Sequence, residues 1–160
     1  MNEKLFRIIS ILFCLFIAVI IYFPCLYNDF AYDDFLVIAE NPHISENGFI
    51  KACFSNRYFD VSGESTYRPV VTITYALIYN FFGNKPFAFH FVSLFLHLLT
   101  VYLVFCISWK MGLNKFSLVA ASLFAVHPIL SEAVCCISFM EDVFLGLFVV
   151  ARSEERRVGK

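Results

Sequence analysis

"PFAFHFVSLFLHLLTVYLVFCISW", residues 86–109, runs for 24 residues without an Asp, Glu, Lys or Arg. About 20 apolar residues in a helix cross the ~30 Å hydrocarbon core of a bilayer, so this stretch predicts a membrane span. Everything around it is read from that span. The 160-residue chain is 60% hydrophobic, holds 21 Phe, is only 16% charged and has a mean hydropathy of +0.74. Soluble domains carry about 25% charged residues, and a chain this short has too small an interior to hide so much apolar surface. Lipid is the solvent that fits.

Toward the N-terminus, residues 5–23 ("LFRIISILFCLFIAVIIYF") contain one charge, Arg7, and predict another span. The run is long for the apolar part of a signal peptide, and "FPCLYNDF" offers no small-residue cleavage site. An uncleaved anchor is the reading. Residues 24–69 then form a long extramembrane loop, in which seven acids (Asp29, Asp33, Asp34, Glu40, Glu46, Asp60, Glu64) face three bases (Lys51, Arg57, Arg68). "SGES" at Ser62–Ser65 marks a turn within it. Pro69 suits a first helical turn and Gly83 the position after a helix end, so a helix is expected over 70–82. At 1.5 Å per residue it reaches only ~20 Å, and Tyr75 and Tyr79, four apart, suit a helix lying along the interface.

Beyond residue 109, Lys110 and Lys115 bracket a short turn. Residues 116–130 predict a third span, and from residue 143 a further apolar run begins and is cut short. The expected fold is therefore all-α, a polytopic integral membrane protein with a long first outer loop. Residues 152–160, "RSEERRVGK", break the pattern and resemble the in-frame translation of a sequencing-adapter oligonucleotide. Set aside, they leave eight basic against eleven acidic residues, a formal charge of −3, and the chain reads as the N-terminal fragment of a longer protein.

Orientation follows from the tendency of Lys and Arg to stay cytoplasmic. Lys4 and Arg7 hold the N-terminus inside, and Lys110 and Lys115 put the second turn on the same side. The acidic loop is then outside or lumenal, and the third span returns to that face with His127, Glu132, Glu141 and Asp142. Acids far apart in sequence are thus expected to meet on one side of the membrane.

Six cysteines show no zinc-type spacing. Cys14 and Cys106, inside apolar runs, are expected to be small core residues. Cys135 or Cys136 can pair with a loop cysteine in an oxidising compartment, although no spacing requires it. His90 and His97, seven apart, share one helical face; a hydrogen bond to a neighbouring helix accounts for such residues, with a ligand or proton role as the alternative. Basic residues are sparse and scattered, which excludes a nucleic-acid module.

The adjacent carboxylates Asp33 and Asp34 can tune one another, one kept ionised and the other driven toward protonation, as a general base or a metal ligand requires. From the residues alone a solvated acidic loop or a helix cap is the favoured explanation. Glu132 near membrane depth and Asp142 at the start of the last run are candidates because acids there are costly. Arg68 in "YRP" suits either a phosphate clamp or a headgroup contact.

Three blocks in order, "YDD…ENPHI", "YRPVVTITYALIYNFFGNKPFAFHFVSLFLHLL" and "AASLFAVHPILSEAV" followed by Asp142, resemble a family. It is the GT-C-type membrane glycosyltransferases with tetratricopeptide repeats, which include eukaryotic O-mannosyltransferases and prokaryotic relatives. The resemblance covers Phe6 to Ala151. It implies GT-C-like N-terminal helices and transfer of a sugar from a polyprenyl-phosphate donor to a protein or glycan hydroxyl on the outer or lumenal face. By it Asp33 and Asp34 are the catalytic candidates, and Arg68, His127, Glu132 and Asp142 the donor- and phosphate-binding ones. Relatives place a base two residues before the aspartate; Met140 stands there instead, which leaves Arg68 as the cation. No cofactor is implied, and a divalent metal stays open. A fragment with so few spans is expected to be inactive alone. The alternative class is a non-catalytic membrane scaffold or transporter subunit.

Overall fold

The computed structural model describes residues 2–45 and 68–158; the turn expected at Ser62–Ser65 lies outside them, as does Cys53. Among the described residues every regular element is helical: α1 (Glu3–Tyr22), α2 (Pro42–Ser45), α3 (Pro69–Phe82), α4 (Pro86–Ser108), α5 (Phe116–Ala125), α6 (Leu130–Cys135) and α7 (Met140–Val158). Tighter or wider single turns extend them at Phe23–Tyr27, Phe35–Ala39, Trp109–Leu113 and Ile137–Phe139.

Two helical stretches, Glu3–Tyr27 and Pro86–Leu113, are long and apolar enough to cross a membrane. They run antiparallel. Phe6 near the start of α1 meets Trp109 after the end of α4, with ring centroids 6.2 Å apart. Further along, Tyr22 meets His97 edge-on at 5.1 Å.

α4 has two unlike faces. His90, Ser93, His97 and Thr100 recur every three or four residues and are all buried. Phe87, Phe91, Phe95 and Tyr102 occupy the other face and are exposed. α1 likewise turns Leu5, Ile8, Leu12 and Phe16 outward while burying Ser10, Cys14 and Ala18. Small and polar residues inside with large apolar ones outside is the arrangement lipid favours, because helices associate there by close packing and hydrogen bonds rather than by the hydrophobic effect.

α4 is the hub and packs against α1, α5, α6 and α7. At one end Cys14 and Ala18 of α1, Val101 and Phe105 of α4, and Ala121 and Ala125 of α5 form a tight core. At the other end Val37, Ile38, Tyr75, Phe89, Ile137 and Met140 gather the loop, α3 and the approach to α7 around the start of α4. Cys14 and Cys106 are buried thiols, as expected from sequence.

α3 has Pro69 in its first turn and ends at Gly83, whose left-handed φ of 71° suits a residue without Cβ. Tyr75, expected to lie along the interface, is instead 1% exposed. The third apolar stretch is not one continuous helix. α5 ends at Ala125, and the chain resumes as α6 at Leu130. Pro128 explains the break: it lacks an N–H and disfavours helical geometry at the residue before it. α7 starts with Glu141 and Asp142 in its first turn, where acids complement the helix dipole, and it continues through residues 152–158.

Candidate functional site at the acidic end

The first loop folds down on the bundle through an aromatic contact. Phe30 sits edge-on to the fully buried Phe89 of α4, at 5.9 Å. A tight turn follows, closed by Asp34 N–H donating to Ala31 O at 3.0 Å. Tyr32 within it has a φ of 51°, a left-handed conformation that is strained for a residue carrying Cβ. The strain is held by Asp34. Its Oδ2 accepts from Ala31 N–H at 3.1 Å, and its Oδ1 accepts from Ser138 N–H at 2.7 Å across 104 residues of sequence.

Asp34 is fully buried; Asp33 beside it is exposed. The two adjacent carboxylates therefore differ in kind. One anchors the turn, and the other is displayed by it. The Ile137–Phe139 turn is gripped from a second side as well, because Tyr75 Oη donates to Ile137 O at 2.7 Å.

The remaining candidates gather at the same end. Arg68, at the N-cap of α3, forms an ion pair with Glu141 of α7. Asp142 is exposed next to it, and Glu132 on α6 is exposed. Cys136 reports how near the acids lie: burial first, and then the charges of Asp34, Glu132 and Asp33, push its thiol above the usual range. His127 is exposed, and its Nδ1 accepts from Ile129 N–H at 3.3 Å, which leaves Nε2 to carry the proton in the neutral ring. A Cys25–Cys135 disulfide, with Cα atoms 5.4 Å apart, ties the end of α1 to the end of α6. Among the described residues no group of three or more His, Cys, Asp or Glu converges as a metal site.

This chain is 29% identical over 136 residues to human protein O-mannosyl-transferase TMTC3, an overlap covering 81% of the chain and 15% of that protein. Human TMTC1 is 32% identical over 130 residues, covering 76% and 15%. The Caenorhabditis elegans protein O-mannosyl-transferase F38B6.6 is 29% identical over 155 residues, covering 89% and 22%. The chain is a relative of the TMTC protein O-mannosyl-transferases. It spans between 15% and 22% of the length of these three relatives. No family model matches it, and no solved structure does.

In this TMTC relative, Met140, at the position where a base was looked for, is fully buried in the core around Phe89 and Ile137. Sequence reasoning missed Ser138 as the partner of Asp34 and Tyr75 as the partner of Ile137. Nothing in the spacing marks Ser138, since the backbone N–H that Asp34 uses is common to every residue but proline. Tyr75 was visible but assigned to the wrong face. A cavity of about 490 Å³ lies at the opposite end, lined by Glu3, Phe6, Trp109, Asn114 and Lys115, and holds none of the candidate residues.

Proposed function

We propose that the chain is the N-terminal part of a membrane glycosyltransferase with GT-C-like helices. In this reading it moves a sugar from a polyprenyl-phosphate donor to an acceptor hydroxyl, with a protein Ser or Thr as first candidate, on the outer or lumenal face. The observation that carries it is the split between the two aspartates: Asp34 is buried as an anchor, while Asp33 is exposed. The relatives are named protein O-mannosyl-transferases, which supports mannose as the sugar.

The chemistry is a direct displacement. Asp33 accepts the proton of the acceptor hydroxyl as its oxygen attacks the anomeric carbon. The bond from that carbon to the lipid phosphate breaks, its electron pair leaves with the phosphate, and the anomeric centre inverts. The polyprenyl tail stays in the bilayer against the outward apolar faces of the helices. Arg68, His127 through Nε2, and the first turn of α7 are the groups available to a phosphate at the interface; the phosphate would compete with Glu141 for Arg68. Glu132 and Asp142 border the donor on the same end.

Two features support the orientation. Lys4, Arg7, Lys110 and Lys115 lie on the end that Phe6 and Trp109 define, away from the acids, as cytoplasmic charges should. The Cys25–Cys135 bond sits on the acidic end, and disulfides persist in oxidising compartments such as the lumen or periplasm.

The test is transfer from a mannosylated polyprenyl phosphate by membranes carrying a full-length homologue. Asp33→Asn is expected to lower kcat by about 10²- to 10⁴-fold with little change in donor KM. Asp34→Asn keeps one acceptor oxygen and is expected to lose less. Full activity in both variants would end this reading.

A further inference from the structure

We propose that the Cys25–Cys135 disulfide is a redox latch on the acidic turn: oxidised, it closes a ring that holds Asp34 on Ser138, and reduced by a dithiol it lets that ring open. The consequence for sugar transfer rests on the reading of Asp33 as the base; the opening itself does not. Two cross-links join the same pair of segments. Cys25 lies in the Phe23–Tyr27 turn, which gives way to extended chain at Asn28, and Asp34 follows further along the same segment. Cys135 is the last residue of α6. Beyond it Cys136 turns extended, with its N–H on Glu132 O at 2.9 Å, and Ser138 sits in the Ile137–Phe139 turn. The disulfide joins the two segments at one point, with Cα atoms 5.4 Å apart. The Ser138 N–H bond to Asp34 Oδ1 joins them again, at 2.7 Å.

These links enclose a small ring, ten residues from Cys25 to Asp34 and four from Cys135 to Ser138. Without the sulfur–sulfur bond, the hydrogen bond spans 104 residues of chain. Closing a flexible loop grows less favourable as about the three-halves power of its length, so shrinking the span from 104 residues to the ring favours the bond by at most about 20-fold. That is a ceiling because packing already supplies part of the proximity: Leu26 and Val134, each next to a half-cystine, are buried with Tyr22 and Leu94. Apolar packing is non-directional, whereas the covalent bond fixes one residue against another. It does so for a turn that needs holding, since Tyr32 sits at a φ of 51°.

Both half-cystines are partly exposed, so a small dithiol can reach the bond. One thiolate of the reductant attacks a sulfur, the Cys25–Cys135 bond breaks, and the reductant's second thiol displaces the mixed disulfide. Two electrons and two protons pass from the dithiol, which leaves as a cyclic disulfide, to the thiols of Cys25 and Cys135. Cys136, the neighbouring free cysteine, is a poor internal attacker. Burial pushes its thiol above the usual range, which keeps it protonated and unreactive. The other free thiols of the described residues, Cys14 and Cys106, are buried.

The experiment is amide hydrogen exchange on the chain in lipid nanodiscs, read at Ser138 and Ala31, whose N–H groups donate to Asp34, with Ala121 and Ala125 of α5 as controls. Dithiothreitol, with reduction of the bond confirmed by mass, is expected to speed exchange about tenfold at Ser138 and Ala31 and less than about twofold at the controls. Reoxidation with diamide is expected to restore the original rates. The Cys25→Ser, Cys135→Ser double variant is expected to exchange at the reduced rates with or without dithiothreitol, while Cys136→Ser keeps the full response. Unchanged rates at Ser138 after reduction, equal acceleration at the controls, failure of reoxidation to restore the rates, a dithiothreitol response in the double variant, or its loss in Cys136→Ser would each overturn the proposal. The dithiothreitol measurement uses the unaltered chain, so it decides the matter even where the double variant fails to fold. No sugar donor enters it, so loss of the transferase reading would leave the result standing.

Discussion

The two ends of the bundle are held together by different chemistry. At the lysine end, Cys14, Ala18, Val101, Ala121 and Ala125 pack α1, α4 and α5 through small side chains, and the links between elements there are thiol contacts from Cys14 to Leu118 O and Ser122 Oγ, a His97–Ala125 O bond and a largely surface Lys110–Glu154 pair. At the acidic end, Asp34 reaches Ser138, Tyr75 reaches Ile137, Arg68 pairs with Glu141, and Cys25 is bonded to Cys135. Packing needs only volume and shape. The acidic end instead fixes particular atoms of one segment against particular atoms of another. Segments that must present a reactive group need that second kind of order, because an error of about 1 Å in placing it is costly.

This contrast can be broken by two substitutions. Ala121 has no exposed surface, so Ala121→Leu forces three helices apart and is expected to cost about 1–3 kcal/mol, read as a shift in denaturant-induced unfolding in mixed micelles. Tyr75→Phe keeps the ring and removes one hydroxyl, leaving Ile137 O without that donor. It is expected to cost about 1 kcal/mol and to loosen the Ile137–Phe139 turn locally while sparing α5. A larger loss from Tyr75→Phe than from Ala121→Leu would mean that the polar grip carries the fold as well as the site, and the division between the two ends would fall.

The parts of the structure that depend on long apolar runs were legible from sequence. Residues 86–109 and 5–23 set α4 and α1, Pro69 and Gly83 bounded α3, and the distance of Lys4, Arg7, Lys110 and Lys115 from the Asp33–Asp34 turn followed from charge alone. What escaped depended on a single local geometry. Pro128 cut the third apolar stretch after Ala125 because one missing N–H outweighs continued hydrophobicity. Asp33 and Asp34 were indistinguishable as letters; which of them turns inward is decided by the left-handed Tyr32. The pairing of Cys25 with Cys135 could not be read, since spacing carries no connectivity. Tyr75 was assigned to an interface because a four-residue spacing gives a shared face but not what covers it.

The central claim is that the acidic end and the lysine end lie on opposite sides of a membrane, with Asp33 on the outer or lumenal one. It is tested most directly by labelling intact, sealed membranes with a membrane-impermeant maleimide, using single introduced cysteines in a background with Cys14, Cys53, Cys106 and Cys136 replaced by Ser. Asp33→Cys is expected to label from the outer or lumenal side only, and Lys115→Cys from the cytoplasmic side only. Labelling of Asp33→Cys from the cytoplasmic side, or of both positions from one side, would contradict the account.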